Sequence, residues 1–184
     1  QAWGDIYFDY AGLTTSVTNY QRDLDLSTAI SSVSFTHNGT DYTREFFVSH
    51  DDNVLVARLE ADGTAKLNLD VRFPSKQSGT TLVEGNDTLV LCGQVSDNQL
   101  KYASYLTVVP EGGSVTGSGS VLTVSGADAI TVYVSAATDY KNTFWNEDGT
   151  DDYYYRTGET DAELAARVIA DVDAAVENGY EAVK

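Results

Sequence analysis

The sequence predicts a mainly β protein, an antiparallel β-sandwich followed by a C-terminal linker helix. Three observations carry this reading. Short alternating apolar runs recur along residues 1–140, glycine-rich turns separate them, and residues 160–184 switch from a period of two to a helical period. The division that follows is a sandwich over 1–140, an acidic aromatic loop over 141–159 and a linker helix over 160–184.

The clearest element is a hairpin turning at Asn38-Gly39. Both central residues of a type I′ turn need φ > 0, and Asn-Gly meets that requirement best. A two-residue loop sets His37 opposite Thr40, Phe35 opposite Tyr42 and Val33 opposite Arg44. The apolar face is then Val33, Phe35, Tyr42, Phe46 and Val48, with Arg44 among them. A guanidinium buried there needs an acceptor, and Asp23 and Asp25 in the upstream acidic segment are the expected partners of a structural ion pair. On that expectation Arg44→Leu strands a carboxylate and costs roughly 3–5 kcal/mol.

Lys66 to Phe73 alternates cleanly, with Leu67, Leu69, Val71 and Phe73 on one face. Val54 to Leu59 is a shorter apolar run, consistent with a strand buried on both faces. Ile6–Tyr10, Thr88–Val95, Tyr102–Val109, Ser120–Val124 and Ala129–Ala136 complete the expected strands. Turns are expected at Ala61-Asp62-Gly63, Gly85-Asn86-Asp87, Glu111-Gly112-Gly113 and Gly126-Ala127-Asp128. Leu24 to Ile30 reads equally as a short strand or a single turn. In the C-terminal part, Thr160 and Glu163 form a capping box. Leu164, Val168, Val172 and Val176 make one apolar stripe, and Asn178-Gly179 closes the helix.

The composition excludes several classes. A formal charge of −17, from 28 acids against 11 lysines and arginines, repels nucleic acid and anionic membranes. The expected location is secreted or at a bacterial cell surface, although these residues hold no signal peptide. The absence of methionine suggests an excised segment or a processed protein. Cys92 is the sole cysteine and sits in an apolar strand, where packing is its expected role. No motif calls for a cofactor.

The segment from Asp139 to Gly158 is long for a connection and rich in aromatics and acids. Tyr140, Asn142 and Trp145 are the candidate substrate-binding residues, since rings stack on sugar faces and amides bond hydroxyls. The plainer alternative is that these aromatics pack against a neighbouring domain. Residues 146–152 have the oxygen density of a calcium loop without its ligand spacing, so a solvated acidic turn is the expected reading. No pair of carboxylates stands out as a glycosidase acid and base, and His37 and His50 are expected to be exposed. The segment therefore reads as a binding or scaffolding domain with no catalytic residue of its own.

Tyr20-Gln21-Arg22-Asp23-Leu24-Asp25-Leu26 with Ala29, followed by Tyr42-Thr43-Arg44-Glu45-Phe46-Phe47-Val48-Ser49, resembles the N-terminal β-domain of glycoside hydrolase family 95. Trp3-Gly4-Asp5-Ile6, Ala136-Ala137-Thr138-Asp139-Tyr140 and Gly179-Tyr180-Glu181-Ala182-Val183-Lys184 extend the resemblance across nearly the whole chain. It implies a supersandwich-like domain that precedes an (α/α)6 barrel in an inverting α-L-fucosidase. The implied partners are the protein's own catalytic barrel and a fucosylated glycan. The implied acid and base lie in the barrel, beyond these residues. Two rivals stand beside it: a free-standing carbohydrate-binding module, and a structural sandwich of a related glycosidase or of a phosphorylase such as the maltose phosphorylase group.

Overall fold

The computed structural model describes residues 2–62, 66–141 and 155–184. Among the described residues, twelve strands precede two helices: β1 (Tyr7–Tyr10), β2 (Thr18–Asp25), β3 (Ile30–His37), β4 (Thr40–Ser49), β5 (Val54–Asp62), β6 (Leu67–Arg72), β7 (Ser78–Glu84), β8 (Thr88–Gln94), β9 (Lys101–Glu111), β10 (Ser114–Ser118), β11 (Val121–Ala127), β12 (Ala129–Thr138), α1 (Asp161–Asn178) and α2 (Tyr180–Val183). Every strand pairing is antiparallel. The smaller sheet has the order β1-β6-β11-β10 and the larger β2-β3-β4-β5-β12-β9-β8-β7. The fold is thus the expected β-sandwich with a C-terminal helix.

The hairpin forms in the register set by its turn, with His37 opposite Thr40, Phe35 opposite Tyr42 and Val33 opposite Arg44. Asn38 and Gly39 take φ of 51° and 79°, the left-handed pair that a type I′ turn needs. The segment left open at Leu24–Ile30 resolves into the end of β2, a turn and the start of β3. Sequence patterning missed β7, β10 and most of β2, which is exposed along its whole length. β7 and β10 are edge strands with half-covered residues, so neither carries a continuous apolar signal. Gly126 is not a simple turn, because it forms a bulge where β11 shifts register against β6.

Between the sheets lies a core of Leu59, Leu67, Val71, Phe73, Leu89, Leu106, Leu122, Ile130 and Val132, all essentially inaccessible to solvent. The opposite face of the larger sheet holds a second core, where Val54, Val56, Ala103, Tyr105 and Tyr133 meet Leu164, Val168, Val172 and Ala175 of α1. Within Val54 to Leu59, Val54 and Val56 are buried against α1 and Ala57 and Leu59 between the sheets, while Leu55 stays 39% exposed. Each fully buried Leu or Val contributes about 1.5–3 kcal/mol, so the helix is an integral third layer.

Arg44 does not form the expected ion pair. Asp23 lies opposite Ser32, which lies opposite Glu45, so Asp23 and Asp25 project from the other face of the sheet. Asp25 instead accepts hydrogen bonds from Ser27. The Arg44 guanidinium stacks over the rings of Tyr10 and Phe35, 4.8 and 5.0 Å from their centroids. The cost expected for Arg44→Leu loses its basis, because no carboxylate among the described residues is left stranded. His37 is also not exposed: it is buried beside the Thr14 hydroxyl at 3.2 Å, whereas His50 is open to solvent.

The capping box at the start of α1 is present in both halves, with Glu163 N–H donating to Thr160 Oγ1 and Thr160 N–H donating to Glu163. Thr160→Ala is expected to lower stability by about 1 kcal/mol, read as a shift in the urea midpoint at unchanged slope.

Candidate functional site

Two features of the outer face stand out, the root of the aromatic loop and the clamp that holds the C-terminal helices. The root is built where β12 leaves the sheet beside the start of β9. Asp139 is fully buried there, accepting from the Lys101 backbone N–H at 2.9 Å and from Arg156 Nε at 2.6 Å. Around this pair, Tyr140 bridges to Arg156, Lys141 N–H donates to Tyr155 O at 2.7 Å, and Thr157 N–H donates to Asp139 O at 2.7 Å. The loop thus leaves and re-enters through a closed, hydrogen-bonded neck. Tyr155 is tied down as well, its hydroxyl donating to Asn98 O at 2.6 Å.

The clamp lies where α2 meets β4 and β5. Glu45 accepts from Lys184 Nζ at 2.7 Å and from the Tyr180 hydroxyl in a short hydrogen bond. Arg58 donates to Glu111 through both Nη atoms, at 2.6 and 3.1 Å, to Glu60 at 2.7 Å and to Thr131 at 3.1 Å. Its guanidinium also lies over the Tyr180 ring, 4.7 Å from the centroid. Burial raises the Glu45 carboxyl, but the Lys184 and Tyr180 hydrogen bonds outweigh it and hold the group below its ordinary value. Burial and the bond to Glu45 push the Tyr180 phenol up to about 12. Lys184 is raised by its bonds to Glu45 and Tyr180.

Two further ties hold α1 to the larger sheet. Lys101 pairs with Asp161 at 3.0 Å near its N-terminus, and Asp171 at mid-helix accepts from Ser135 at 2.8 Å and Asn53 at 2.7 Å. The helix is therefore fixed at its start, middle and end.

Of the candidate binding residues, Tyr140 is exposed at the neck of the loop, while Asn142 and Trp145 lie outside the described residues. The calcium-like stretch 146–152 lies outside them too. Sequence reasoning missed Asp139 and Arg156 as a pair. The only signal was an acid closing a strand and an arginine seventeen residues on, which gains meaning once both ends of the loop meet. Among the described residues, no group of three His, Cys, Asp or Glu could hold a metal ion.

These elements define a two-sheet antiparallel sandwich with a helix packed on the outer face of its larger sheet. The chain belongs to the family described as glycosyl hydrolase family 65, N-terminal domain, whose model matches residues 1–143. It is similar to Alpha-L-fucosidase 2 of Arabidopsis thaliana, 29% identical over 164 residues that cover 76% of this chain and 20% of that one. Its fold is similar to a putative kojibiose phosphorylase from the human microbiome, with a TM-score of 0.67 at 10% identity over 97% of this chain and 26% of that one. The chain thus spans a fifth to a quarter of the length of these proteins, and it is the N-terminal sandwich domain of a glycosidase or glycoside phosphorylase family.

The buried pair at the loop root should be sensitive to a single change. Asp139→Ala is expected to cost about 3 kcal/mol by leaving Arg156 with a lost carboxylate, measured by urea unfolding. The clamp is testable by pH. Tyr180 and Lys184 have folded values above their unfolded ones, so their contribution is complete below pH about 10 and is lost as pH rises through the folded values. Difference absorbance of wild type minus Tyr180→Phe should show one phenol ionising near pH 12. A midpoint near 10 would mean that the clamp does not form.

Proposed function

We propose that this domain is the non-catalytic N-terminal sandwich of an α-L-fucosidase-like glycoside hydrolase. In this reading it stabilises a helical catalytic barrel and forms one wall of the substrate cleft. The parent reaction is inverting hydrolysis of terminal α-L-fucosides on a fucosylated glycan, by an enzyme exported to the cell surface or beyond. The single observation that carries the reading is the braced neck at Asp139–Arg156, joined to a helix fixed at both ends. The root of the connection is braced by a buried pair, and the helical segment beside it is tied to the larger sheet at its start and end. The similarity to Alpha-L-fucosidase 2 supports the substrate class.

The fold likeness to a putative kojibiose phosphorylase favours a second reading, in which the same sandwich serves a phosphorylase. The two separate on the intact protein. Hydrolytic release of fucose without phosphate supports the first, and phosphate-dependent release of a sugar 1-phosphate supports the second. Within the first reading, Trp145→Ala in the intact enzyme is expected to lower kcat/KM at least about tenfold, the loss of roughly 1.4 kcal/mol of transition-state binding. Unchanged kcat/KM and Tm would reject the cleft-wall role for the loop.

A further inference from the structure

A polar hollow of about 410 Å³ lies at the tip of the β3–β4 hairpin, between that tip, the Tyr10–Leu13 segment and the start of β6. It sits at the opposite end of the larger sheet from the Asp139–Arg156 neck. The hairpin tip lies beside the start of β12 through β5, whereas the neck follows the end of β12. In a chain with 28 acids, no carboxylate among the described residues lines this hollow. Its size falls within the range of about 300–1,000 Å³ found for small-molecule sites.

Three of its lining side chains, His37, Thr40 and Tyr42, are more than nine-tenths buried. The two-residue turn sets His37 opposite Thr40, and Tyr42 follows on the same face two residues later. The partner of His37 fixes its tautomer. The Thr14 backbone N–H can only donate, and it meets Nε2 at 3.5 Å beside the Thr14 hydroxyl at 3.2 Å. That hydroxyl accepts from the Ser16 N–H at 3.4 Å, which leaves its own proton for Nε2. The imidazole proton therefore sits on Nδ1, as a donor. Packing aims Tyr42, whose ring stacks on Phe35 at 5.1 Å and meets Tyr10 edge-on at 6.2 Å. Among the described residues, neither His37 Nδ1 nor the Thr40 and Tyr42 hydroxyls have a hydrogen-bond partner, and none of the three is sealed from solvent. Buried polar groups are ordinarily paired, so three neighbouring exceptions facing one hollow mark a place for a ligand.

We propose that this hollow binds a neutral, hydroxyl-rich ligand, one sugar residue of a glycan. A sugar hydroxyl both donates and accepts, so it pairs with the Thr40 and Tyr42 hydroxyls in either sense and accepts from His37 Nδ1. An apolar ligand would leave all three groups unmade. An anion only accepts, and the lysine that lines the hollow, Lys66, is already paired with Asp128. The net charge of −17 opposes an anion at longer range. Asn68 is committed too, its carboxamide donating to Lys66 O and accepting from the Gly126 N–H. Recognition thus falls to His37, Thr40 and Tyr42. The inference is independent of the fucosidase reading, since it rests on the unpaired groups of this hollow alone.

The test is hydrogen–deuterium exchange mass spectrometry on the intact natural protein, titrated with the methyl α-glycosides of L-fucose, D-galactose and D-glucose. Mapping by peptide separates this hollow from any catalytic site. At least one glycoside should give saturable protection in the peptides that carry Tyr10 to Thr14 and the hairpin tip, and inorganic phosphate should give none there. Tyr42→Phe removes the hydroxyl and keeps the stacked ring, and it should raise the midpoint of that protection about fivefold or more, the loss of one hydrogen bond. Thr40→Val should do the same, and it serves alone should Tyr42→Phe fail to fold. No protection by any of the three glycosides, protection confined to other peptides, protection by phosphate, or an unchanged midpoint in the folded variants would each overturn the proposal.

Discussion

The burial of β12, β9 and much of β5 on both faces is the constraint on which the rest of the structure depends. Val56, Val132 and Leu106 are wholly inaccessible, and the neighbours that alternate with them meet either the smaller sheet or α1. A strand with two apolar faces cannot be left half-covered without exposing one of them to water. The helix is therefore as necessary to the larger sheet as the smaller sheet is. Its amphipathic stripe has nowhere else to go, because an isolated helix of this length is marginal in water.

Polar groups then decide how the helix sits on that apolar surface. Hydrophobic contact is non-directional, so the stripe of Leu164, Val168 and Val172 could slide along the sheet at little cost. Lys101–Asp161, Ser135–Asp171 and Glu45–Lys184 remove that freedom by fixing three points along the helical segment. The bidentate Arg58–Glu111 pair beneath Tyr180 holds the last of these in place. Such exposed pairs add little stability individually. Their effect here is on geometry.

Local chemistry in the sequence specified much of this fold. The Asn38-Gly39 turn fixed the register of β3 against β4, and Thr160 with Glu163 marked the start of α1. Both depend on residues a few positions apart. Arg44 shows where such reasoning stops. Its face was legible, but its surroundings depend on β1, a distant strand that lays Tyr10 over the guanidinium. Asp23 and Asp25 are near in sequence yet lie on the other face, because β2 pairs along β3 in a register that the segment itself does not reveal. Asp139 and Arg156 were illegible for the same reason. The residues gain their meaning only when the ends of a long connection close on one another.

The same distinction bears on the loop as a site. A loop tip can serve binding only if its root is stiffer than the contact it makes, since any slack at the root is lost as entropy on binding. The neck at Tyr140–Arg156 meets that requirement through a buried carboxylate with two charge-assisted or backbone bonds and a flanking pair of backbone hydrogen bonds. Tyr155, which belongs to the aromatic run, is spent on this stiffness and not on display, because its hydroxyl bonds Asn98. Aromatic density in the sequence thus overstated the surface available for sugar. Part of it, Tyr155, builds the support.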